Sequence, residues 1–535
     1  MPPILILSGC IITTNISVGS PYSEFKMDGF AEPSPVIANG LPALEVWEAW
    51  QRKPQSIMPR FVQCAIRLSG CLFLAIRLSA SLPNVLIIQT DEHHFQTLGC
   101  YGGQIVQTPH IDRLASEGAL CTSFYATTPV CSPSRAALLT GLYPQHNRVV
   151  QNNVPLPSGT STLGSILQQK GYRTGYIGKW HLDGDGKPQW APARSFGFED
   201  RRFMFNRGHW KKFVLQDGRP EVGALNRNGE PSYELDDADE KTFATDFLTE
   251  RALEFIGQKE DRPFFLMLSF PDPHGPNSVR KPYDTLFDDV TIPIPDTLRK
   301  PDSQIPAWAP SDAKITVATL RRLMPKYFGM VKCIDDNVGR ILHLLEQTGA
   351  LDQTLIVFTS DHGDLCGEHG RLNKGNPYEG SARIPFLMRY PSEIPPNTRI
   401  GIALSCVDFL PTLNGVLNLQ ISEVFNGRDA SQWFRGNPPP SWNDITFLRS
   451  SRGGNWLCAA SERYKLVVSS GERPWLMDLQ TDPAEALNHA SDPHKAEVLQ
   501  SMARALKVYA IEEKDPLLNV EGIGSSLTEL LSSSQ

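Results

Sequence analysis

Asn84-Val-Leu-Ile-Ile-Gln-Thr90 is a short, apolar and β-branched stretch, and this composition predicts a buried strand. Similar stretches recur at residues 174–177, 263–270, 354–359 and 384–388. Helical patterns lie between them, opening at Thr108-Pro109 and covering residues 161–170, 243–256 and 320–345. Strands that alternate with helices predict an α/β domain whose central sheet is mainly parallel and flanked by helices.

Composition divides the chain into four predicted segments. Residues 1–82 lack a clear hydrophobic period and form an N-terminal extension, and residues 83–425 form the α/β domain. Two short strand patterns, at 462–468 and 474–479, and a helix from about 493 to 511 make residues 426–515 a small α+β C-terminal subdomain. The Ser-rich end, residues 516–535, is expected to be a loose tail.

The N-terminal extension allows two interpretations. An export signal could start at Met58, with Arg60 as its basic region and residues 71–76 as its apolar core, although that core is short and Arg67 and Arg77 interrupt it. The other interpretation is an extension without stable structure. The first predicts a periplasmic or secreted protein, and a cytoplasmic location stays open.

Bulk properties exclude some classes of protein. With 51 Lys+Arg against 58 Asp+Glu, the formal net charge is −7, which argues against a general nucleic-acid binder. No apolar run reaches the length of about 18 residues that a membrane span needs. The 10 cysteines show no metal-finger spacing. The sequence carries no signal for an oligomeric state.

Polar side chains follow four of the predicted strands. They lie at residues 91–94, 179–181, 272–274 and 361–364. Ligands of open α/β sheets bind outside the carboxyl ends of the strands. We therefore expect these four groups to converge on one site.

The most specific motif is Cys131-Ser-Pro-Ser-Arg135. With 10 Cys, 43 Pro and 51 Lys+Arg in 535 residues, Cys-x-Pro-x-Arg is expected fewer than about 0.08 times by chance. Ser132 is predicted to cap a helix that Gly141 ends. Cys131 would then lie at a helix N-terminus, which favours an anion. A buried structural cysteine is the alternative from this pentapeptide alone.

The stretch from Cys131 to Pro144 resembles the signature of the type I sulfatases, which belong to the alkaline phosphatase superfamily. The resemblance extends from residue 83 to about 515 and includes Gly178-Lys-Trp-His181, Ser360-Asp-His-Gly-Asp364 and Asn373-Lys-Gly375. It implies an alkaline phosphatase-like fold and hydrolysis of sulfate esters. It also implies that a separate maturation enzyme oxidises Cys131 to Cα-formylglycine.

The same resemblance implies a Ca²⁺ site formed by Asp91, Glu92, Asp361, His362 and the oxidised Cys131. Carboxylate oxygens suit this cation. Glu92 departs from the family, which usually has Asp or Gln at this position. His362 would contribute a nitrogen ligand, so Mg²⁺ and Mn²⁺ stay open.

The remaining roles are also implied by the resemblance. Arg135, one helical turn after the nucleophile, would orient it and neutralise charge. Lys179 and Lys374 would stabilise the sulfate oxygens together with the metal. His274 or Lys374 would protonate the leaving oxygen, and His181 would act as the base that regenerates the aldehyde.

The substrate is expected to be a sulfated small molecule or carbohydrate. The basic and aromatic stretch 201–212 contains Arg207, His209 and Trp210, which could stack on and pair with a sulfated sugar at the pocket rim. An ordinary solvated loop explains this stretch equally well. Alternative functions are a phosphonate monoester hydrolase or phosphodiesterase of the same superfamily, and a non-catalytic binding protein on this scaffold.

Overall fold

A central sheet of eight strands carries the fold, and most of its neighbouring strands run parallel. The computed structural model describes residues 82–532. The strands are β1 Asn84–Asp91, β2 Ala119–Cys121, β3 Phe124–Tyr125, β4 Arg173–Lys179, β5 Met204–Phe205, β6 Phe213–Gln216, β7 Arg219–Val222, β8 Phe264–Pro273, β9 Thr354–Ser360, β10 Phe386–Arg389, β11 Thr398–Ile400, β12 Leu404–Ser405, β13 Thr446–Arg449, β14 Trp456–Ala460, β15 Tyr464–Ser469 and β16 Trp475–Asp478.

The α-helices occupy both faces of this sheet and the C-terminal part. They are α1 Pro109–Ser116, α2 Cys131–Thr140, α3 Pro144–Asn147, α4 Leu163–Gln169, α5 Ala244–Ile256, α6 Val317–Gln347, α7 Glu379–Ala382, α8 Cys406–Leu417, α9 Ser431–Phe434, α10 Ala496–Glu512 and α11 Ile523–Ser532. Each of the four helices and five strands predicted for the α/β domain is present, with boundaries shifted by a few residues.

The sheet has the strand order β11-β2-β10-β9-β1-β8-β4-β5. Strand β1 pairs in parallel with β8 on one side and β9 on the other, and β8 pairs in parallel with β4. Strand β10 is antiparallel to β9 and β2. The prediction of a mainly parallel α/β sheet is confirmed.

Alternating residues of β1 contribute to two hydrophobic cores. Val85 and Ile87 join the core packed with α2, α4 and α8, whereas Leu86 and Ile88 join the core packed with α1, α5 and α6. Successive side chains of a strand point to opposite faces of the sheet. Because both faces of β1 are covered, the stretch is apolar throughout rather than alternating.

Helix α2 places Cys131 at its first turn, as predicted, but without the predicted cap. The N-cap position is Val130, and no side chain there makes a capping hydrogen bond. The Ser132 hydroxyl instead donates to the carbonyl oxygen of His181 at 2.7 Å. Gly141 ends the helix with φ 67°, a left-handed conformation that glycine adopts without strain.

The C-terminal part contains a four-stranded antiparallel sheet in the order β13-β14-β15-β16. Helix α10 contributes Leu499, Met502 and Leu506 to the core that also holds Leu457 and Leu466 of this sheet. The expected loose tail is wrong for residues up to 532, because α11 forms there and buries Ile523 and Leu527. These two residues lie one helical turn apart on the face that meets the core, and the partly buried Leu530 and Leu531 pack against the same core.

The predicted export signal and the rest of residues 1–81 lie outside the described residues. Among the helices that the structure describes, none combines the length and apolar character needed to cross a bilayer.

Candidate active site

The carboxyl ends of β1, β4, β8 and β9 meet the first turn of α2 at one edge of the sheet. Asp91 ends β1 and Lys179 ends β4, while Asp361 directly follows β9. All three side chains are fully buried. The predicted convergence of the polar groups is therefore observed, and it follows from the parallel pairing of the strands.

Arg135 holds this edge together. Its Nε donates to Asp361 Oδ2 at 2.8 Å and its Nη2 to Asp91 Oδ2 at 3.1 Å. Its Nη1 donates to the Lys179 carbonyl at 2.9 Å and to Ser269 Oγ at 2.7 Å. A buried guanidinium needs this many acceptors, and Arg135 pairs with both carboxylates; its predicted role in orienting the nucleophile stays a prediction.

Four side chains could hold a metal ion. Ligand atoms of Asp91, Cys131, Asp361 and His362 all lie within 4.8 Å of one another. His362 Nδ1 is 2.9 Å from the Gly363 carbonyl, so its proton is held there and Nε2 turns its lone pair toward the group. Nε2 lies 3.2 Å from Cys131 Sγ and 3.4 Å from Asp361 Oδ1. The donor set fits a divalent cation.

Glu92 lies beside this group, but its carboxylate faces His274 and Lys374 instead. Its backbone N–H donates to Asp361 Oδ1 at 3.2 Å. Its Oε2 is 2.9 Å from His274 Nε2 and its Oε1 is 3.0 Å from Lys374 Nζ. Burial alone would raise the pKa of Glu92, but these two neighbours hold it below the usual value. The metal-ligand role of Glu92 stays a prediction.

Lys179 has a completely buried side chain. Its ammonium forms an ion pair with Asp91 Oδ2 and lies 2.9 Å from His209 Nε2. Asp91, His209 and His274 also approach closely enough to suggest a second cation site. The Lys179 ammonium already supplies the positive charge between Asp91 and His209, so no metal is needed there.

His274 and Lys374 face each other across the mouth of the site. The distance from Lys374 Nζ to His274 Nε2 is 2.6 Å, and both side chains retain about 15% exposure, 14% and 16% respectively. His274 Nδ1 is 2.9 Å from the Gly275 carbonyl. Two proton-carrying groups therefore border a partly open side of a cluster whose other charged members, Asp91, Lys179 and Asp361, are buried.

His181 approaches Cys131 from a turn rather than from the strand. Strand β4 ends at Lys179, and His181 has φ 57°, so simple strand alternation does not orient it. Burial lowers the pKa of His181, and Lys179 and Arg135 add to this, while the nearby charge of Cys131 opposes it. The imidazole is therefore neutral at neutral pH and can accept a proton.

Two asparagines that the sequence analysis missed support these residues. Asn153 Oδ1 lies 3.0 Å from His181 Nε2, and Asn152 Oδ1 accepts from the Ser132 backbone N–H at 2.9 Å. Among residues 82–532, His181 Nδ1 is buried without a hydrogen-bond partner. No motif marks Asn152 or Asn153, because their role depends on a loop that returns to α2 from outside the signature.

The electrostatic environment favours the anionic form of Cys131. Burial would raise the pKa of this thiol, but Lys179, Lys374 and His362 bring it well below its ordinary value, with Asp91 opposing. Thiols beside lysines and at helix N-termini show this shift in general. The same positive field suits a negatively charged substrate at residue 131.

The basic and aromatic stretch 201–212 is partly buried, and its side chains have different surroundings. Trp210 is only 2% exposed, so the expectation that it stacks on substrate at the rim is wrong. Lys211 is fully buried and pairs with Asp272 at 2.6 Å. Arg207 keeps partial exposure and lies 3.1 Å from Asp185, and His209 belongs to the site itself.

Comparison with known proteins agrees with this geometry. A family model described as "Sulfatase" matches residues 83–419. The chain belongs to the sulfatase family. A second model, described as "N-sulphoglucosamine sulphohydrolase, C-terminal", matches residues 367–512. The predicted type I sulfatase identity, within the alkaline phosphatase superfamily, is confirmed, and the chain is an enzyme of the sulfuric ester hydrolase class.

Relatives of this sulfatase share most of its length. The uncharacterized sulfatase YidJ of Escherichia coli is 29% identical over 81% of this chain and 88% of its own. The N-acetylglucosamine-6-O-sulfatase of Bacteroides thetaiotaomicron is 27% identical over 68% of this chain and 73% of its own.

A solved structure shares the fold of this sulfatase. It is BT4656 in complex with D-glucosamine-2-N,6-O-disulfate, which is 22% identical and superposes with a TM-score of 0.67 over 82% of this chain and 99% of that one. The alkaline phosphatase-like fold that the sequence predicted is thereby confirmed.

Proposed function

We propose that this sulfatase releases inorganic sulfate from a sulfated carbohydrate, using a formylglycine made from Cys131 and a bound divalent cation. The observation that carries the proposal is the convergence of Lys179, Lys374, His181 and His274 around Cys131 at the first turn of α2. Each of these groups lies within the network of contacts described above, and together they surround one reactive position with positive charge and proton carriers.

Residue 131 would provide the nucleophile. Once a maturation enzyme has oxidised Cys131, the hydrated aldehyde supplies two hydroxyl groups, one for attack on sulfur and one whose deprotonation expels sulfate. An ordinary serine or cysteine ester lacks the second hydroxyl and would need water for this step. The Cys131 thiol marks the position that the formylglycine oxygens would take.

The cation would be held by Asp91, Asp361, His362 and residue 131, and Glu92 would become a further ligand by turning its carboxylate from His274 and Lys374 toward the ion. It would supply positive charge at the nucleophile and at the sulfate oxygens. Ca²⁺ is the expected ion because carboxylate oxygens dominate the donor set. The nitrogen ligand His362 also suits Mn²⁺, and Mg²⁺ is the third candidate.

The side chains of the mouth would bind the sulfate and move protons. Lys179 and Lys374 would direct their ammonium groups at the non-bridging oxygens, where charge must be stabilised in the transition state. His274, or Lys374 beside it, would donate a proton to the leaving oxygen. His181 would take the proton from the second hydroxyl, because its Nδ1 is the buried nitrogen without a partner among the described residues.

The carbohydrate part of the proposal is supported by two relatives. The 27% identical relative is named N-acetylglucosamine-6-O-sulfatase, and the structure that shares this fold is a complex with D-glucosamine-2-N,6-O-disulfate. We further propose that the protein acts in the periplasm or outside the cell, on the basis of the export-signal pattern around Met58. Cell fractionation of the native host tests that location.

Activity assays after co-expression with a maturation enzyme test the reaction. We expect sulfate release from 4-nitrophenyl sulfate and, with higher kcat/KM, from a sulfated saccharide, together with a formylglycine mass at residue 131 in the matching peptide. Phosphate or phosphonate esters serve as the comparison substrates. Faster turnover of a phosphonate monoester than of any sulfate ester would replace the sulfatase assignment by the phosphonate hydrolase alternative.

A further inference from the structure

His209 makes two contacts that place it inside the reaction site. Its ring stacks on the ring of His274, with a centroid distance of 3.4 Å and an interplanar angle of 8°. Its Nε2 lies 2.9 Å from Lys179 Nζ. One side chain from the 201–212 stretch therefore touches both the residue that would bind sulfate and the residue that would protonate the leaving group.

The segment around His209 is held rigidly on both sides. On one side, Trp210 Nε1 donates to the Arg207 carbonyl at 3.1 Å. This turn requires Gly208, because its φ is 121° and a Cβ at this position would overlap the indole nitrogen of Trp210. On the other side, Lys211 Nζ donates to Asp272 Oδ1 at 2.6 Å and to the His274 carbonyl at 2.9 Å. The imidazole thus has little freedom to move.

The contact with Lys179 fixes the direction of the hydrogen bond. An ammonium has three donors and no acceptor, so His209 Nε2 accepts and Nδ1 carries the proton. Burial lowers the pKa of His209, and Lys179 and His274 lower it further, which agrees with a neutral ring. Of the three Lys179 donors, Asp91 and His209 take one each, and the third is left for a sulfate oxygen.

We propose that His209 is a positioning residue of the reaction: it aims the Lys179 ammonium and supports the His274 ring, and it does not bind the sugar. Lysine has four rotatable side-chain bonds, so a second acceptor beside Asp91 restricts the ammonium to one direction. The stack does the same for the imidazole of His274. This inference rests on the proposed function, because both supported residues take their roles from it.

Two variants separate the two contacts. His209→Phe keeps an aromatic ring over His274 but removes the acceptor for Lys179, and His209→Gln keeps an acceptor near the position of Nε2 but removes the ring. Hydrogen bonds to charged groups predict a loss of about 10- to 100-fold in kcat/KM for His209→Phe. The aromatic stack predicts a loss of about 2- to 10-fold for His209→Gln.

The assays use the matured enzyme with 4-nitrophenyl sulfate and with a sulfated saccharide, and His343→Gln, an exposed histidine on α6, is the control. A positioning role predicts equal losses on both substrates, because both carry the same sulfate group. Losses confined to the saccharide would overturn the proposal and make His209 a sugar contact. Wild-type activity of His209→Phe, or equal losses for the two variants, would overturn the acceptor role.

Two further readouts keep the test independent of folding and of the proposed function. If His209→Phe lowers the Tm while the kcat/KM of the folded fraction is unchanged, the residue is structural and the proposal fails. In a Lys179→Met background, His209→Phe should cost much less than in the wild type, because the acceptor no longer has a partner. An inactive wild-type enzyme on every sulfate ester would instead refute the proposed function, and the same cycle would then be measured on the phosphonate ester.

Discussion

Two clusters of buried charged residues in this sulfatase have similar residue types but different surroundings. The active-site charge cluster consists of Asp91, Arg135, Lys179 and Asp361. The C-terminal charge cluster consists of Glu379, Lys465 and Glu485, with Lys465 Nζ 2.6 Å from Glu485 Oε1 and 3.0 Å from Glu379 Oε1. In both, the charged side chains are almost completely removed from solvent.

The difference lies in what each cluster surrounds. The active-site charge cluster borders the Cys131 thiol and the partly exposed pair His274 and Lys374, so some of its charge faces the proposed nucleophile. The C-terminal charge cluster is paired only within the protein interior, since Lys465 also donates to the Pro377 carbonyl at 2.5 Å, the Glu379 backbone N–H donates to Glu485 at 2.6 Å, and Arg383 pairs with Glu379 at 3.1 Å. Buried charge therefore indicates catalysis only where it faces a reactive atom.

Removing the reactive atom should give the largest effect. Cys131→Ala is expected to lower kcat/KM by at least about 10⁴-fold, because no nucleophile remains. Cys406→Ala is the matched control, since Cys406 is also buried and also touches α2, at Ser134 Oγ, while burial raises the pKa of its thiol to about 11. We expect that control to keep its activity within about threefold. Measurable turnover by Cys131→Ala would mean that another residue attacks sulfur.

Removing the cation of the C-terminal charge cluster should affect stability instead of chemistry. Lys465→Met leaves Glu485 without its ion-pair partner and Glu379 with Arg383 alone, and it is expected to lower the free energy of unfolding by about 3 to 5 kcal/mol. Chemical denaturation measures this, with the exposed Lys259→Met as control. The kcat of the folded enzyme should stay within about threefold of the wild type. A large loss of kcat at unchanged stability would abolish the distinction between the clusters.

A smaller effect is expected in the pH dependence of stability, and it involves the same C-terminal charge cluster. Burial raises the pKa of Glu485 to about 7, with Lys465 opposing and Glu379 adding to the shift, so the folded protein retains a proton that the unfolded chain releases. This contribution to stability is fully present below the ordinary pKa of about 4.5 and is lost as pH rises through 7.

Glu485→Gln removes this titration. Its unfolding free energy, relative to the wild type, should therefore rise by about 1 to 3 kcal/mol between pH 5 and pH 8. Parallel stability curves for the two proteins would show that Glu485 is ionised throughout and that the C-terminal charge cluster does not titrate in this range.

Patterns in the sequence predicted much of the fold and the family of this protein. The apolar stretch at Asn84 and its repeats predicted the parallel sheet, and the Cys131 signature predicted both the helix start and the family. Arg135 and Lys179 were placed correctly near that cysteine. These features depend on local spacing. The spacing of apolar residues indicates which face of an element is buried, and the order of the motifs indicates which strand ends lie together.

The expectations that were wrong concern contacts between residues that lie far apart in the sequence. Ser132 was expected to cap α2 but bonds to His181, and Trp210 was expected at the rim but is buried. Local propensity describes a residue and its near neighbours, whereas both of these contacts involve tertiary packing that can override it. The C-terminal helix was missed because a Ser-rich composition hides the two apolar residues that anchor it.

The sequence by itself determined the fold class, the family and the place of Cys131 at a helix start, because apolar strand stretches and short motifs encode them. Only the tertiary structure decided that Glu92 faces His274 and Lys374, that His209 contacts Lys179, and that Lys465 is buried away from the reaction. These partners lie far apart in the chain, and no spacing rule relates them. Their pairing is set by burial, which forces each buried charge and donor to find a partner among whatever side chains the packing brings near.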